Sequence, residues 1–355
     1  MDLVSRLYFN ACKELGLNPT AQKDIHGFNV SLGKQIYYFR SGYAPFNNSG
    51  SAALCYNKFS TNKILEMAGI PVPKAMGITK IEYRRGDYDL SKINLPVVIK
   101  PTLNTACGKD VFCNIKSKEL LSYLLCKYFK KHPCISIEEF QAGLRSYRVT
   151  VFYNKVIAVT ERIPAQVIGD GMHTIKDLIK IENAQRKTAK DALPLGRIRI
   201  MPESKIIFEE MGISSDYIPF ENEAIPLRYI CNSTYGGNII GLGATAICKE
   251  NAELACQAAR VLGLNFVGFD ILCENIQIPI AQSRGFFIEA NPNPDISIHE
   301  NVITGKKIRV SKIIARKLIS QNFISYVLTK AKHKNFTPLF MFIILIVAWS
   351  YTYVA

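Results

Sequence analysis

The sequence predicts an α+β fold built as more than one lobe, and three observations carry that expectation. The chain has 355 residues, enough for two or three lobes with cores of their own. Its 48% hydrophobic and 21% charged content is that of a folded globular protein. Segments with strand and helix periodicity are mixed without a regular βαβ rhythm, which favours α+β lobes over a doubly wound parallel sheet.

The elements follow in order. Val4 to Leu15 has the spacing of a short helix, and Ile36-Tyr37-Tyr38-Phe39 reads as strand. Asn47-Asn48-Ser49-Gly50-Ser51 is a polar link that closes a short first segment, residues 1–50. Ser60 or Thr61 is the expected cap of a helix through Met67, stopped by Gly69 ahead of Pro71 and Pro73. Leu95 to Pro101 is a β-rich run, followed by a polar loop from Thr102 to Asp110 and a second strand, Val111 to Ile115. Lys118 to Phe129 is helical, with Leu120, Leu121, Leu124, Leu125 and Tyr128 on its apolar side. Ile135 to Ile137 is a strand that ends in Glu138-Glu139-Phe140. Arg148–Phe152 and Lys155–Thr160 pair as a hairpin across Tyr153-Asn154. Asn251 to Leu262 forms a helix closed by Gly263, and Phe266–Leu272 and Phe286–Glu289 are strands.

Charge and cysteine usage narrow the class. The formal net charge is +15, yet its distribution argues against nucleic acid as a partner. No acid follows Glu300, whereas nine bases do, and they lead into the apolar run Leu339 to Trp349. This is the pattern of a basic linker or helix at 306–335 and a membrane anchor at 336–355, with cations facing an anionic surface. The run is short for a span, and a helix buried against the body or a partner is the alternative. A cytoplasmic catalytic body held to a membrane by this segment is the expectation. The ten cysteines form no CxxC pair, so free thiols in a reducing compartment are expected and a zinc site is not.

Three features carry chemistry. Lys100 ends a strand beside the loop containing Gly108 and Lys109, a place for a point charge and backbone N–H groups over phosphate oxygens. Alone it is weak, because strands often end in lysine simply to meet water. Glu138, Glu139 and Phe140 offer acceptors and an aromatic face to a nucleoside, with a solvated acidic turn as the alternative. Asp270 lies in an apolar strand, while Glu289 and Asn291 alternate onto one side of another. Unpaired, that aspartate would be costly, and three hard oxygen donors suit Mg²⁺ with positions left for phosphates.

The order Asn57-Lys58-Phe59-Ser60-Thr61, Pro96 to Pro101, Glu138-Glu139-Phe140, Asp270 and Glu289-Ala290-Asn291 resembles the ATP-grasp superfamily. Glu161 to Ile175, containing Ile163-Pro164-Ala165 and Gly169-Asp170-Gly171, is similar to the ATP-grasp modules of cyanophycin synthetase and bifunctional bacterial glutathione synthetases. Arg228, Asn232, Gly236 and Gly237 resemble the family's glycine loop, and Asn291 to Pro294 its closing motif. The similarity covers residues 47–300; an ATP-grasp domain is expected over 51–305.

The resemblance implies two α+β lobes clamping ATP, with ATP and Mg²⁺ as cofactors and Mn²⁺ as a substitute. It implies a carboxylate–amine ligase acting on amino acids or short peptides through an acyl phosphate. Lys58 and Lys100 then hold phosphates, the Gly108–Lys109 loop closes over them, and Glu138, Glu139 and Phe140 serve the nucleoside. Asp270, Glu289 and Asn291 bind metal, and Arg228 with Asn232 forms the catalytic pair. Arg162, His173 and His299 are candidates for contacting an acidic substrate, with structural roles as their alternative. The chain departs from the family at Asp110, where a second loop glycine is usual, and around Arg148, where the preceding acid is missing. The reading set against the ligase is an anchored ATP-binding protein without catalysis. The resemblance leaves a homo-oligomer open.

Overall fold

The computed structural model describes residues 1–103, 110–188 and 195–333, together with Ile346. The chain divides into two units. The first joins Met1–Phe46, Asn293–Glu300 and the residues from Arg309 onward; the second comprises Asn47–Pro292 and Asn301–Ile308.

The first unit starts with α1 (Leu3–Glu14), whose first turn is capped by Asp2 accepting from the Ser5 N–H at 2.8 Å. An antiparallel meander follows: β1 (Pro19–Gln22), β2 (Gly27–Leu32) and β3 (Gln35–Phe39). Tyr8, Phe28 and Phe39 are fully buried, and the Phe28 and Phe39 rings stack at 4.8 Å.

The second unit begins with α2 (Ser49–Cys55) and α3 (Lys58–Met67). Then come β4 (Ala75–Thr79), α4 (Lys80–Arg85), β5 (Val97–Pro101), β6 (Phe112–Ile115), α5 (Lys118–Phe129) and β7 (Cys134–Glu139). The four strands form an antiparallel sheet in the order β4-β7-β5-β6. Leu121, Leu124, Leu125 and Phe129 of α5 pack on Val97, Ile99, Ile135 and Ile137. Strand alternation therefore turns Lys100, Ser136 and Glu138 to the other face.

A second sheet is larger. It uses β8 (Arg145–Phe152) and β9 (Lys155–Ile163), joined through Tyr153 and Asn154, whose φ angles of 45° and 58° make the left-handed turn a tight hairpin needs. Next are β10 (Gln166–Ile168), α6 (Ile175–Thr188), α7 (Pro202–Met211) and β11 (Ala224–Pro226), which share a small core around Val167, Leu178, Phe208 and Ile225. The remaining strands are β12 (Asn238–Gly241), β13 (Phe266–Cys273), β14 (Gly285–Asn291) and β15 (Thr304–Gly305), with α8 (Lys249–Val261) between β12 and β13. The sheet order is β14-β13-β8-β9-β12-β15. Ala255, Ala258 and Ala259 of α8 share its core with Val149, Phe269 and Phe287.

The first unit resumes with α9 (Ser297–Glu300), α10 (Val310–Gln321) and α11 (Phe323–His333). Arg309, just ahead of α10, donates to both Glu14 carboxylate oxygens, at 2.7 and 2.8 Å.

One sequence expectation changes. The cap of α3 is Asn57, not Ser60 or Thr61: its side chain accepts from the Phe59 and Ser60 N–H groups, both at 3.1 Å. Asparagine competes well for this role, and the helix gains a turn that brings Lys58 into its first position. Glu138 and Glu139 are the last two residues of β7, at the strand end where the sequence puts them, and β7 pairs with β4 and β5 up to this point. Among the described residues no helix is long and apolar enough to cross a membrane. Apart from Ile346, residues 336–355 lie outside the described residues.

Candidate active site

A bulge organises the carboxylates. On β13 the core takes Val267, Phe269, Ile271 and Cys273, so Gly268 and Asp270 face the other way. On β14 the core takes Phe287 and then Ala290, three residues apart, because the ladder slips at Ile288. Asp270 pairs with Glu289, while the adjacent Ile271 pairs with Phe287. The extra residue moves Glu289 and Asn291 off the core face, where strict alternation from Phe287 would have put them.

Each carboxylate has its own cation. Lys58 Nζ stands 3.2 Å from Glu289 Oε1, carried there by the Asn57 cap and by the Lys58 N–H bond to the Thr102 carbonyl. Asp270 accepts from Arg148 Nε at 2.5 Å and from Arg162 Nη1 at 2.7 Å, one guanidinium on each oxygen. Burial alone would push the Asp270 carboxyl up; the two guanidiniums outweigh it and hold the carboxyl at about 2. Arg162 also donates to the Cys231 carbonyl at 2.5 Å, tying Asp270 to the loop before β12. Asn291 Nδ2 donates weakly to Gly268 O at 3.4 Å.

A second group lies on the smaller sheet. Lys100 Nζ is 2.7 Å from Glu138 Oε1, both side chains only 6% exposed, and Ser136 donates to the same oxygen. Glu139 alternates to the opposite side and accepts from Asn94 Nδ2 at 3.0 Å. The Phe140 ring meets Tyr229 edge-on at 5.3 Å. The Cys113 thiol on β6 lies within the fields of Glu203, Lys100, Arg228 and Glu138, and burial above all pushes it up. Gly108 and Lys109 lie outside the described residues. Asp110 has φ +54°, the left-handed conformation that glycine adopts freely, and its carboxylate meets His132 Nε2 at 3.1 Å. Aspartate is one of the few residue types besides glycine that tolerate this backbone.

Arg228 donates to Glu203 on α7 at 3.0 Å and stacks over Tyr235 at 4.6 Å. Asn232 caps a single turn, Ser233–Tyr235, accepting from the Thr234 N–H at 2.8 Å. His173 is held by Asp170 at 2.6 Å within its own loop, and His299 is buried in the first unit. The arginine pair on Asp270 is what sequence reasoning missed. The available signal was two arginines flanking apolar stretches of one hairpin, where a charge needs a partner.

Comparison with known proteins bears on the fold and on the relatives of the chain. No family model matches the chain. It is 32% identical to cyanophycin synthetase of Crocosphaera subtropica over 276 residues, 76% of this chain and 31% of that protein. It is 26% identical to the bifunctional glutathione biosynthesis protein GshAB of Pasteurella multocida over 298 residues, 82% of this chain and 39% of the other. A crystal structure of the bifunctional glutathione synthetase from Pasteurella multocida superposes with a TM-score of 0.63 at 24% identity, covering 90% of this chain and 44% of that one. The chain is related to the ATP-grasp ligases. These are enzymes that form C–N bonds, and ATP and Mg²⁺ are the cofactors of the class. The chain spans about a third of the length of these two curated relatives.

Asp270, Glu289 and Asn291 offer hard oxygen atoms on two neighbouring strands. Among the described residues no three His, Cys, Asp or Glu side chains cluster as a closed metal site. Asp270 and Glu289 oppose one another, with Asn291 as an amide oxygen donor one alternation further on. An open set of hard oxygen donors is what Mg²⁺ takes when phosphates and water complete its shell. Three protein cations, Lys58, Arg148 and Arg162, stand on these two carboxylates.

Proposed function

We propose that the chain is an ATP-dependent ligase that joins a carboxylate to an amine through an acyl phosphate. The observation that supports it best is the Asp270–Glu289 pair, set across two strands by a bulge, with Lys58 on one member. In this reading Asp270, Glu289 and Asn291 hold Mg²⁺, which supplies electrostatic neutralisation of the phosphates when bound. Lys58 and Lys100 meet the phosphates, Gly108 and Lys109 belong to the loop over them, and Glu139 and Phe140 border the nucleoside. Glu138 contributes by holding Lys100. A substrate carboxylate oxygen attacks the γ-phosphorus and ADP leaves. The amine nitrogen then attacks the acyl carbon, inorganic phosphate departs, and the amine gives up a proton. Arg228 stabilises the negative charge on the acyl phosphate, and Asn232 shapes the loop that presents it.

Amino acids or short peptides are the proposed substrates. The same reading holds residues 306–355 against an anionic membrane surface, and deleting 336–355 should then move the protein to the soluble fraction. The deciding experiment is Mg²⁺-dependent phosphate release from ATP, screened against pools of amino acids and small peptides. Stimulation by one pool, with ADP and a new amide as products, establishes the ligase. Nucleotide binding without turnover in every pool would replace it with a binding-only protein.

A further inference from the structure

Helix α11 is inside out. Lys330 and Ser325 lie so close to Gly16 and Gly33 that a Cβ on either glycine would collide with them. Tyr326 donates its hydroxyl to the Leu15 carbonyl at 2.8 Å, and Asn322, just before the helix, accepts from the Tyr37 hydroxyl at 2.8 Å. The polar side of the helix therefore faces the rest of the first unit. Phe323, Ile324, Val327 and Leu328 form one stripe at helical spacing on the other side. Phe323 is 40% exposed, Ile324 51% and Leu328 40%, whereas a surface helix ordinarily buries such a stripe.

The charge of the segment says what covers the stripe. Residues 309–333 contain six bases and no acid; Arg309 and Lys312 meet Glu14 and Lys330 reaches Gly16, while Arg316 on α10 is exposed. The sequence then runs uncharged from Phe336 to Ala355. A bilayer with anionic headgroups takes both the cations and the apolar side chains at one surface. We propose that α11 lies in the plane of an anionic membrane interface with Phe323, Ile324 and Leu328 among the acyl chains. This rests on the membrane reading above and adds a second, independent contact to it.

The test uses the full chain, whose one tryptophan is Trp349. Leu328→Trp in a Trp349→Phe background is mixed with vesicles of phosphatidylserine and brominated phosphatidylcholine. Strong quenching of the fluorescence, weaker with vesicles of brominated phosphatidylcholine alone, is the expected result. No quenching there, while Trp349 of the otherwise unchanged chain is quenched, overturns the interfacial helix and leaves the terminal segment as the contact. Quenching at neither position overturns both. Self-association without vesicles that Leu328→Lys abolishes in sedimentation would overturn the proposal in favour of a second copy.

Discussion

Asp270 and Glu289 face each other across β13 and β14, and the protein neutralises them with different cations. Glu289 has a lysine from a helix start, while Asp270 has two arginines from the neighbouring hairpin. A lysine at a helix start can swing away when a metal or phosphate arrives. The arginines are fixed by strand pairing and by the Cys231 carbonyl. The two carboxylates are thus unequal partners in one site.

Glu289→Ala should lower Mg²⁺-dependent phosphate release by about 100-fold or more, since it removes a proposed metal ligand. The thermal transition should stay within a few degrees, because the side chain is outside the core. Unchanged turnover would remove the metal assignment.

Deleting Ile288 should remove the bulge without moving the carboxylate into the core. Regular alternation from Phe287 then still sets Glu289 and Asn291 off the core face and Ala290 on it, so the deletion should fold and lose mainly the packing of Ile288. Ile288→Val should cost no more than about 1.5 kcal/mol and keep turnover within about two-fold. Denaturant unfolding of the two variants separates the register effect from lost packing.

Arg162→Gln should destabilise by about 3–5 kcal/mol, leaving a mostly buried carboxylate with one counter-charge fewer. It should also change the acid limb. Asp270 titrates below its ordinary value, so its contribution to stability is full above about pH 4 and is lost as pH falls toward about 2. In the variant the loss is smaller and is complete at a higher pH, and Arg162→Lys restores part of the difference. Stability measured against pH between 2 and 6 checks the shift.

Lys100→Met should also cost about 3–5 kcal/mol, because Glu138 would be left buried beside Ser136 with its charge unmatched. Adding Glu138→Leu should recover most of the stability but none of the nucleotide affinity. Unfolding and nucleotide titration of the same two proteins distinguish a structural pair from one that serves the ligand.

Much of the fold was readable because alternation and caps are local. Helix α5 and the β8–β9 hairpin follow from apolar spacing and from a two-residue link, Tyr153-Asn154, whose asparagine tolerates positive φ. Asp270, Glu289 and Asn291 were legible as oxygen donors in strands that otherwise avoid charge. The bulge at Ile288 was not legible, since an inserted residue leaves no mark until the partner strand's register is known. Lys100 and Glu138 were each visible, yet their pairing depends on β5 and β7 lying side by side despite their separation in sequence. Helices α6, α7 and α10 gave weaker signals, because their burial depends on packing partners from other parts of the chain.

The Arg309–Glu14 pair joins residues 295 positions apart, and it lies where α10 meets α1. A ribosome releases Glu14 long before Arg309 exists. Through most of synthesis the β1–β3 meander therefore waits with its helical cover half built. Closing so large a loop carries an entropic cost that only the finished α10 face can offset. The second unit, whose strands pair at shorter range, is free to form in the meantime. Any premature stop before Val310 would strand the first unit as an exposed three-stranded sheet, a ready substrate for quality-control proteolysis.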